Sequence, residues 1–130
     1  MAALNSTFDR KVLIVHDNRD ALSAMSNLLE KRNFWVKTAQ NGWEALNRLK
    51  VDDDICLVVL LSLSMPVMDG WEFLRRKRSD PRIAAVPVIV ISPSAPGALE
   101  GVEEVLTSPD PIDAFVDAVA RHVLNKGADT

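Results

Sequence analysis

Short apolar runs alternate along this chain with segments whose apolar residues recur every three or four positions. Lys11-Val12-Leu13-Ile14-Val15-His16 is apolar at consecutive positions and rich in β-branched residues, the pattern of a strand covered on both faces. Asp17 or Asn18 can cap the helix that follows. In that helix Leu22, Met25 and Leu29 keep helical spacing, with Ala21 and Leu28 flanking the stripe. Phe34 to Ala39 reads as a second strand, and Asn41-Gly42 turns into a second helix with Ala45, Leu46 and Leu49 inward. Ile55 to Leu61 is the most apolar run and is expected to be the central strand. The Pro66-to-Gly70 loop leads into a third helix with Phe73 and Leu74 on its inner side. Pro87 to Ser92 predicts a fourth strand and Glu104 to Thr107 a short fifth. Asp110 as N-cap, Pro111 at the first helical position and Asp113 in the first turn then open a last helix. Its apolar face is Ile112, Phe115, Val116, Val119 and Val123.

Strands alternating with helices imply a parallel sheet covered on both faces, joined by right-handed crossovers. The reading gives a loose arm over 1–10, one domain over 11–125 and a tail over 126–130, with no repeat or second domain. In such α/β sheets, ligands bind beyond the carboxyl ends of the strands. The residues placed there are Asp17, Ser62, Ser92 and Ser108, after the first, third, fourth and fifth strands.

Composition adds limits. With 130 residues, 48% of them apolar, the chain can bury a real core. A net charge of −3 gives no global reason to expect nucleic acid or an anionic membrane as partner. The single cysteine, Cys56, excludes an internal disulfide and suits a reducing cytoplasm. It starts a buried strand and is read as packing. No apolar run approaches the roughly 20 residues of a membrane helix, and Met1 to Lys11 lacks a signal-peptide core. A cytoplasmic protein is therefore expected.

The stretch Leu60-Leu61-Ser62-Leu63-Ser64-Met65-Pro66-Val67-Met68-Asp69-Gly70 resembles the segment L-D-x-x-M-P-x-M-D-G of response-regulator receiver domains. Val15-His16-Asp17-Asn18, Asn41-Gly42-Trp43-Glu44-Ala45-Leu46 and Pro87-Val88-Ile89-Val90-Ile91-Ser92 resemble the same family in the same order. The resemblance covers about Lys11 to Val123. It implies a flavodoxin-like, doubly wound five-stranded sheet in the order 2-1-3-4-5, and a bacterial two-component setting. It also shows departures. The family's phospho-acceptor aspartate falls at Ser62. Of the two acidic residues that end its first strand, one falls at His16 and only Asp17 remains. The hydroxyl residue matches Ser92, the phosphoryl-pairing lysine is replaced by Ser108 before Pro109, and the aromatic switch position falls at Val105. Between Ser92 and Pro109 the chain is about six residues shorter than the family usual, a little over one and a half helical turns. Pro93, Pro96, Gly97 and Gly101 further disfavour a helix there, so the family's fourth helix is expected to be shortened or absent.

These departures predict a pseudo-receiver: a non-enzymatic signalling module, without cofactor or metal, acting by contact with a protein such as a histidine kinase. A serine hydroxyl forms no acyl phosphate and is a weak nucleophile without an adjacent base. One carboxylate leaves little to hold magnesium. His16 then reads as a polar pocket residue hydrogen-bonded to backbone. Two rivals stand beside this reading: a phosphorylation-competent receiver using Asp17 or His16 as acceptor, and a small-molecule sensor using the emptied pocket. For the partner surface there are two candidates: the surface of the first helix, and Trp71 with the basic run Arg75-Arg76-Lys77-Arg78, where Arg75, Arg76 and Arg78 carry the charge. Lys77 falls where the apolar stripe would continue, so its stem is expected to snorkel or join the patch. Trp43 is a second possible anchor.

Overall fold

The computed structural model describes residues 11–92, 99, 101–106 and 111–128, with side chains of the last helix described over 115–123. Five strands form one parallel sheet: β1 (Lys11–Val15), β2 (Trp35–Ala39), β3 (Ile55–Leu60), β4 (Val88–Ile91) and β5 (Glu104–Leu106), in the order β2-β1-β3-β4-β5. Four helices accompany them: α1 (Arg19–Glu30), α2 (Gly42–Val51), α3 (Gly70–Ser79) and α4 (Pro111–Ala128). The segment in which a shortened helix is expected, between β4 and β5, lies outside the described residues at 93–98 and 100.

Every residue of β1 is buried, as are all but Cys56 of β3 and all of β4. Alternate residues therefore feed two cores. One face packs Leu13, Val15, Val58, Leu60 and Val90 against Ala45, Leu49, Phe73 and Leu74 of α2 and α3. The other packs Val12, Ile14, Val59 and Ile89 against Leu22, Leu29, Phe115 and Val119 of α1 and α4. Two-sided burial is what turns the strands into continuous apolar runs rather than alternating ones.

Capping residues fix where three of the helices start. Asn18, Asn41 and Asp69 accept the backbone N–H groups of Ala21, Glu44 and Glu72, at 3.1, 2.9 and 2.9 Å. At the far end of α1, Asn33 takes a positive φ of 70°, a conformation asparagine tolerates. That turn explains a difference from the predicted boundary. The Phe34 N–H bonds Leu29 O at 3.1 Å, so Phe34 closes the turn, buried, and β2 begins one residue later.

At the amino end of the sheet Lys11 is 5% exposed. Its Nζ donates to both carboxylate oxygens of Asp52, at 2.9 and 3.1 Å, and lies 3.6 Å from Asp54. It also sits 4.1 Å from the centroid of the Trp35 ring. The Cys56 thiol, partly buried, donates to Lys11 O. Among the described residues no helix is long and apolar enough to cross a membrane.

Candidate functional site

The carboxyl ends of β1, β3 and β4 are level, because Val15 pairs with Leu60 and Leu60 with Val90. The residues that follow those pairs, His16, Asp17, Ser62 and Ser92, are thereby brought to one rim, with adjacent strands about 4.8 Å apart. Ser108, expected there too, lies outside the described residues.

Each rim side chain has a local partner. The Asn18 N–H donates to His16 Nδ1 at 3.0 Å, the backbone bond expected of this residue, while Asp17 Oδ1 stands 3.1 Å from the same nitrogen. One ring nitrogen cannot accept from Asn18 and donate to Asp17 through the same position. With Nδ1 accepting, the proton of the neutral ring sits on Nε2. The lone pair that a phosphoryl acceptor at His16 would need is then already engaged. Ser62 is partly buried and its Oγ donates to Ser64 O at 2.9 Å. This anchors the hydroxyl to its own loop, and among the described residues no base is hydrogen-bonded to it. Ser92 is partly buried, its N–H bonded to Leu106 O at 2.9 Å. Asp69, the other acid of the loop, accepts from Glu72 N as the cap of α3.

As a donor set, the rim offers the half-exposed Asp17 carboxylate, hydroxyls and an imidazole. Among the described residues no three His, Cys, Asp or Glu side chains gather closely enough to hold a metal ion. Magnesium wants about six hard oxygens in octahedral array, normally from carboxylates and phosphate. The rim residues do not fit that requirement.

The loop from β3 to α3 is held by backbone contacts. The Gly70 N–H donates to Leu63 O at 2.7 Å, and the Gly42 N–H to Met68 O at 2.8 Å. A Cβ at Gly42 would stand 2.9 Å from both Met68 Cγ and Met68 O, so only glycine lets α2 start against this loop. Between these anchors the Met68 N–H bonds Pro66 O, closing a γ-turn with Val67 at φ 69°. For a β-branched residue that is a strained conformation, costing roughly 1–3 kcal/mol.

Trp71, Arg75, Arg76 and Arg78 all lie exposed on α3. Glu72 binds Arg75 at Nε and Nη2 and Arg76 at Nε, and these hydrogen bonds pull its pKa down to about 2. Lys77 requires a correction. It is 4% exposed and follows Phe73 and Leu74 into the core side of the helix. Its Nζ donates to Ala84 O at 3.0 Å. Burial pushes the ammonium pKa down, and the charge of Glu103 restores only part of it. Lys77 thus belongs to the scaffold, tying α3 to the turn before β4, and not to a basic surface. Trp43 and Val67, by contrast, are exposed, each next in the chain to one of the hydrogen-bonded residues Gly42 and Met68. Sequence reasoning passed over Val67, since no rule of spacing marks a strained loop residue.

Comparison with known proteins agrees with this architecture. The chain is similar to the signal receiver domain of a signal transduction histidine kinase from Syntrophus aciditrophicus. That match has a TM-score of 0.77 at 23% identity and covers 88% of this chain and 90% of that one. It is also similar to the chemotaxis response regulator CheY4 of Vibrio cholerae, with a TM-score of 0.74 at 23% identity, over 85% and 96% of the two chains. In sequence it is 26% identical over 119 residues to Protein PilG of Pseudomonas aeruginosa, 87% of each chain being covered. The response regulator receiver domain profile matches residues 12–108, from the second residue of β1 to Ser108. On that match and this sheet order, the chain belongs to the response-regulator receiver domain family.

Proposed function

We propose that this receiver domain is a pseudo-receiver: it transmits a signal by constitutive contact with a protein partner, without phosphorylation at the family's usual position. The observation that carries the reading is Ser62 in the acceptor's place, its Oγ committed to Ser64 O. The rest of the rim supports it. Asp17 is left without the acidic neighbours that would share a metal, and Ser108 stands where a lysine would neutralise a phosphoryl group. Acceptor, metal and lysine work as one unit, so losing all three removes the reaction rather than slowing it. A cytoplasmic role beside a histidine kinase or another two-component protein fits the family and the relatives.

The test is incubation with acetyl phosphate and magnesium, followed by intact mass. The expected result is no species heavier by one phosphoryl group. Stoichiometric phosphorylation that is lost in Asp17→Asn or His16→Ala would establish the alternative acceptor instead. The small-molecule reading has less support. The open groove of about 350 Å³ between α1 and β2, lined by Arg19, Ser23, Ser26 and Gln40 among others, contains none of the rim residues.

A further inference from the structure

We propose that the first turns of α2 and α3, with the loop between β3 and α3, form a docking surface for an acidic amphipathic helix of a protein partner, anchored by Trp43, Val67 and Trp71 and oriented by Arg75 and Arg76. The inference rests on the reading above only in taking protein contact as the output.

Among the described residues the exposed large hydrophobics are Trp35, Trp43, Val51, Val67 and Trp71. Trp35 has a local reason to be where it is, since the ammonium groups of Lys11 and Lys37 lie 4.1 and 5.8 Å from its ring centroid. Three of the others converge. Gly42 and Met68 are buried and hydrogen-bonded to each other. Trp43 follows one of them and Val67 precedes the other, so both are placed around a single backbone contact. Asp69 O is also 3.0 Å from the Gly42 Cβ position, and Trp71 lies two residues beyond it.

Exposure of these three is 50%, 81% and 47% in chain order. A tryptophan offers about 150–250 Å², so each indole leaves roughly 75–125 Å² in water. With Val67 the patch reaches the few hundred Å² typical of functional surfaces. Val67 is the sharper sign. It holds a strained backbone while its side chain gains almost nothing from packing, which is the signature of a residue kept for contact rather than for folding.

Charge decides the occupant. Within Gly70–Ser79 three exposed arginines, Arg75, Arg76 and Arg78, stand with a single acid, Glu72, in a chain whose net charge is −3. Arg75 lies one turn beyond Trp71 on the same side of the helix, and Glu72 holds the guanidinium groups of Arg75 and Arg76 in fixed positions. The open groove of about 470 Å³ lined by Arg75, Arg76, Ser79, Asp80 and Pro81 continues the basic end. The face therefore runs from aromatic to basic over Trp71 to Arg78, about 10 Å of helix. Its complement is two turns of helix with bulky apolar residues at one end and carboxylates at the other.

The test is a random peptide library displayed on phage and selected on the full chain. Enriched peptides are expected to pair large apolar residues with two or more carboxylates. A synthetic copy should bind more weakly at higher salt, and Trp71→Ala and Arg75→Glu should each weaken it about tenfold or more. Lys31→Glu, at the C-cap of α1, should leave it unchanged. Thermal melts of each variant separate lost binding from lost folding. Several outcomes overturn the proposal: no enrichment, basic rather than acidic peptides, or equal affinity for wild type and both patch variants. So does sedimentation showing a dimer that Trp71→Ala dissociates, since the occupant is then a second copy. Binding to phosphatidylglycerol vesicles that no selected peptide displaces overturns it as well. A parallel arm with acetyl phosphate and magnesium keeps the two readings apart. Peptide binding at the patch only after that treatment upholds the surface and sinks constitutive action. Treatment-independent peptide binding elsewhere does the reverse.

Discussion

The two ends of the sheet handle charge in opposite ways. At the amino end a lysine is buried, yet every demand of its ammonium is met: Asp52 accepts twice, Asp54 stands at 3.6 Å and the Trp35 ring covers it. At the carboxyl end Asp17 is half-exposed, and Ser62, only partly buried, commits its hydroxyl to Ser64 O. A buried charge costs a fold more the less completely it is compensated. The described rim at the carboxyl end, with serine at 62, buries no charge that would need such compensation.

The largest expected effect therefore lies at the amino end. Lys11→Ala removes one partner of a mostly buried pair and leaves Asp52 facing a low-dielectric pocket. It should cost about 3 kcal/mol, read as a shift in urea midpoint at constant slope. The pH dependence carries a sign. Burial pushes the Asp52 pKa up, but the hydrogen bonds and charge of Lys11 more than reverse that and leave it below the usual value. A carboxylate lowered in the folded state contributes stability above its unfolded pKa of about 4, and that contribution is lost as pH falls through the lower folded value. In Lys11→Ala most of this acid loss should vanish. If the variant matched wild type in both midpoint and acid slope, the contrast between the two ends would be wrong.

At the carboxyl end the expected effect is on chemistry. Ser62→Asp alone should remain a poor acceptor for acetyl phosphate. The triple variant with His16→Asp, Ser62→Asp and Ser108→Lys should take up phosphate at least about tenfold faster, because members of a catalytic unit are strongly non-additive. Equal rates for the single and triple variants would show that serine at 62 is the whole defect and that metal and lysine are not needed.

How much of this was legible beforehand follows the same division. The two-sided strands were, since continuous β-branched runs leave few alternatives, and so were the inward stripes of α2 and α3. The backbone bond at His16 was also foreseen. Lys77 shows a limit. Its place in the stripe was visible, but whether a lysine there reaches water or turns inward depends on a carbonyl, Ala84 O, supplied by a turn seven residues on. The site shows another. Nothing in the spacing of Trp43 and Val67 says that their neighbours share an anchor. They do because Gly42 lets a helix start against Met68, a contact between residues 26 positions apart. The internal bond of Ser62 is likewise a matter of loop geometry and could not be read from residue type.

Lys77 offers the next, smaller test. It is a buried charge with one hydrogen bond and no carboxylate in contact among its hydrogen-bond partners, so it lies between the two extremes. A lysine whose folded pKa is lowered is disfavoured in its charged form. The unfolded chain then binds more protons between the lowered value and about 10, and stability rises with pH across that window. Lys77→Met keeps the stem and removes the charge. It should change stability at neutral pH by no more than about 1 kcal/mol and flatten the alkaline rise. A loss as large as that of Lys11→Ala would mean that the Ala84 bond, not desolvation, dominates.

The smallest expected effect is at Asp17. A divalent cation at the rim would have to give up hydration for one half-exposed carboxylate, and magnesium sheds water reluctantly. Asp69 cannot help without breaking the cap of α3, and the Ser62 hydroxyl points its proton at Ser64 O. Magnesium should therefore bind no more tightly than to any acidic surface, with a shallow, salt-sensitive response that does not saturate. Asp17→Asn should leave that response nearly unchanged, and should change stability little because an exposed pair with His16 is worth little in water. Backbone amide shifts in a magnesium titration give the measurement. A curve that saturates in the low-millimolar range or below, and that Asp17→Asn abolishes, would mean the rim still assembles a metal site. The carboxyl end would then be only partly emptied, and a phosphoryl ligand the first candidate to complete it.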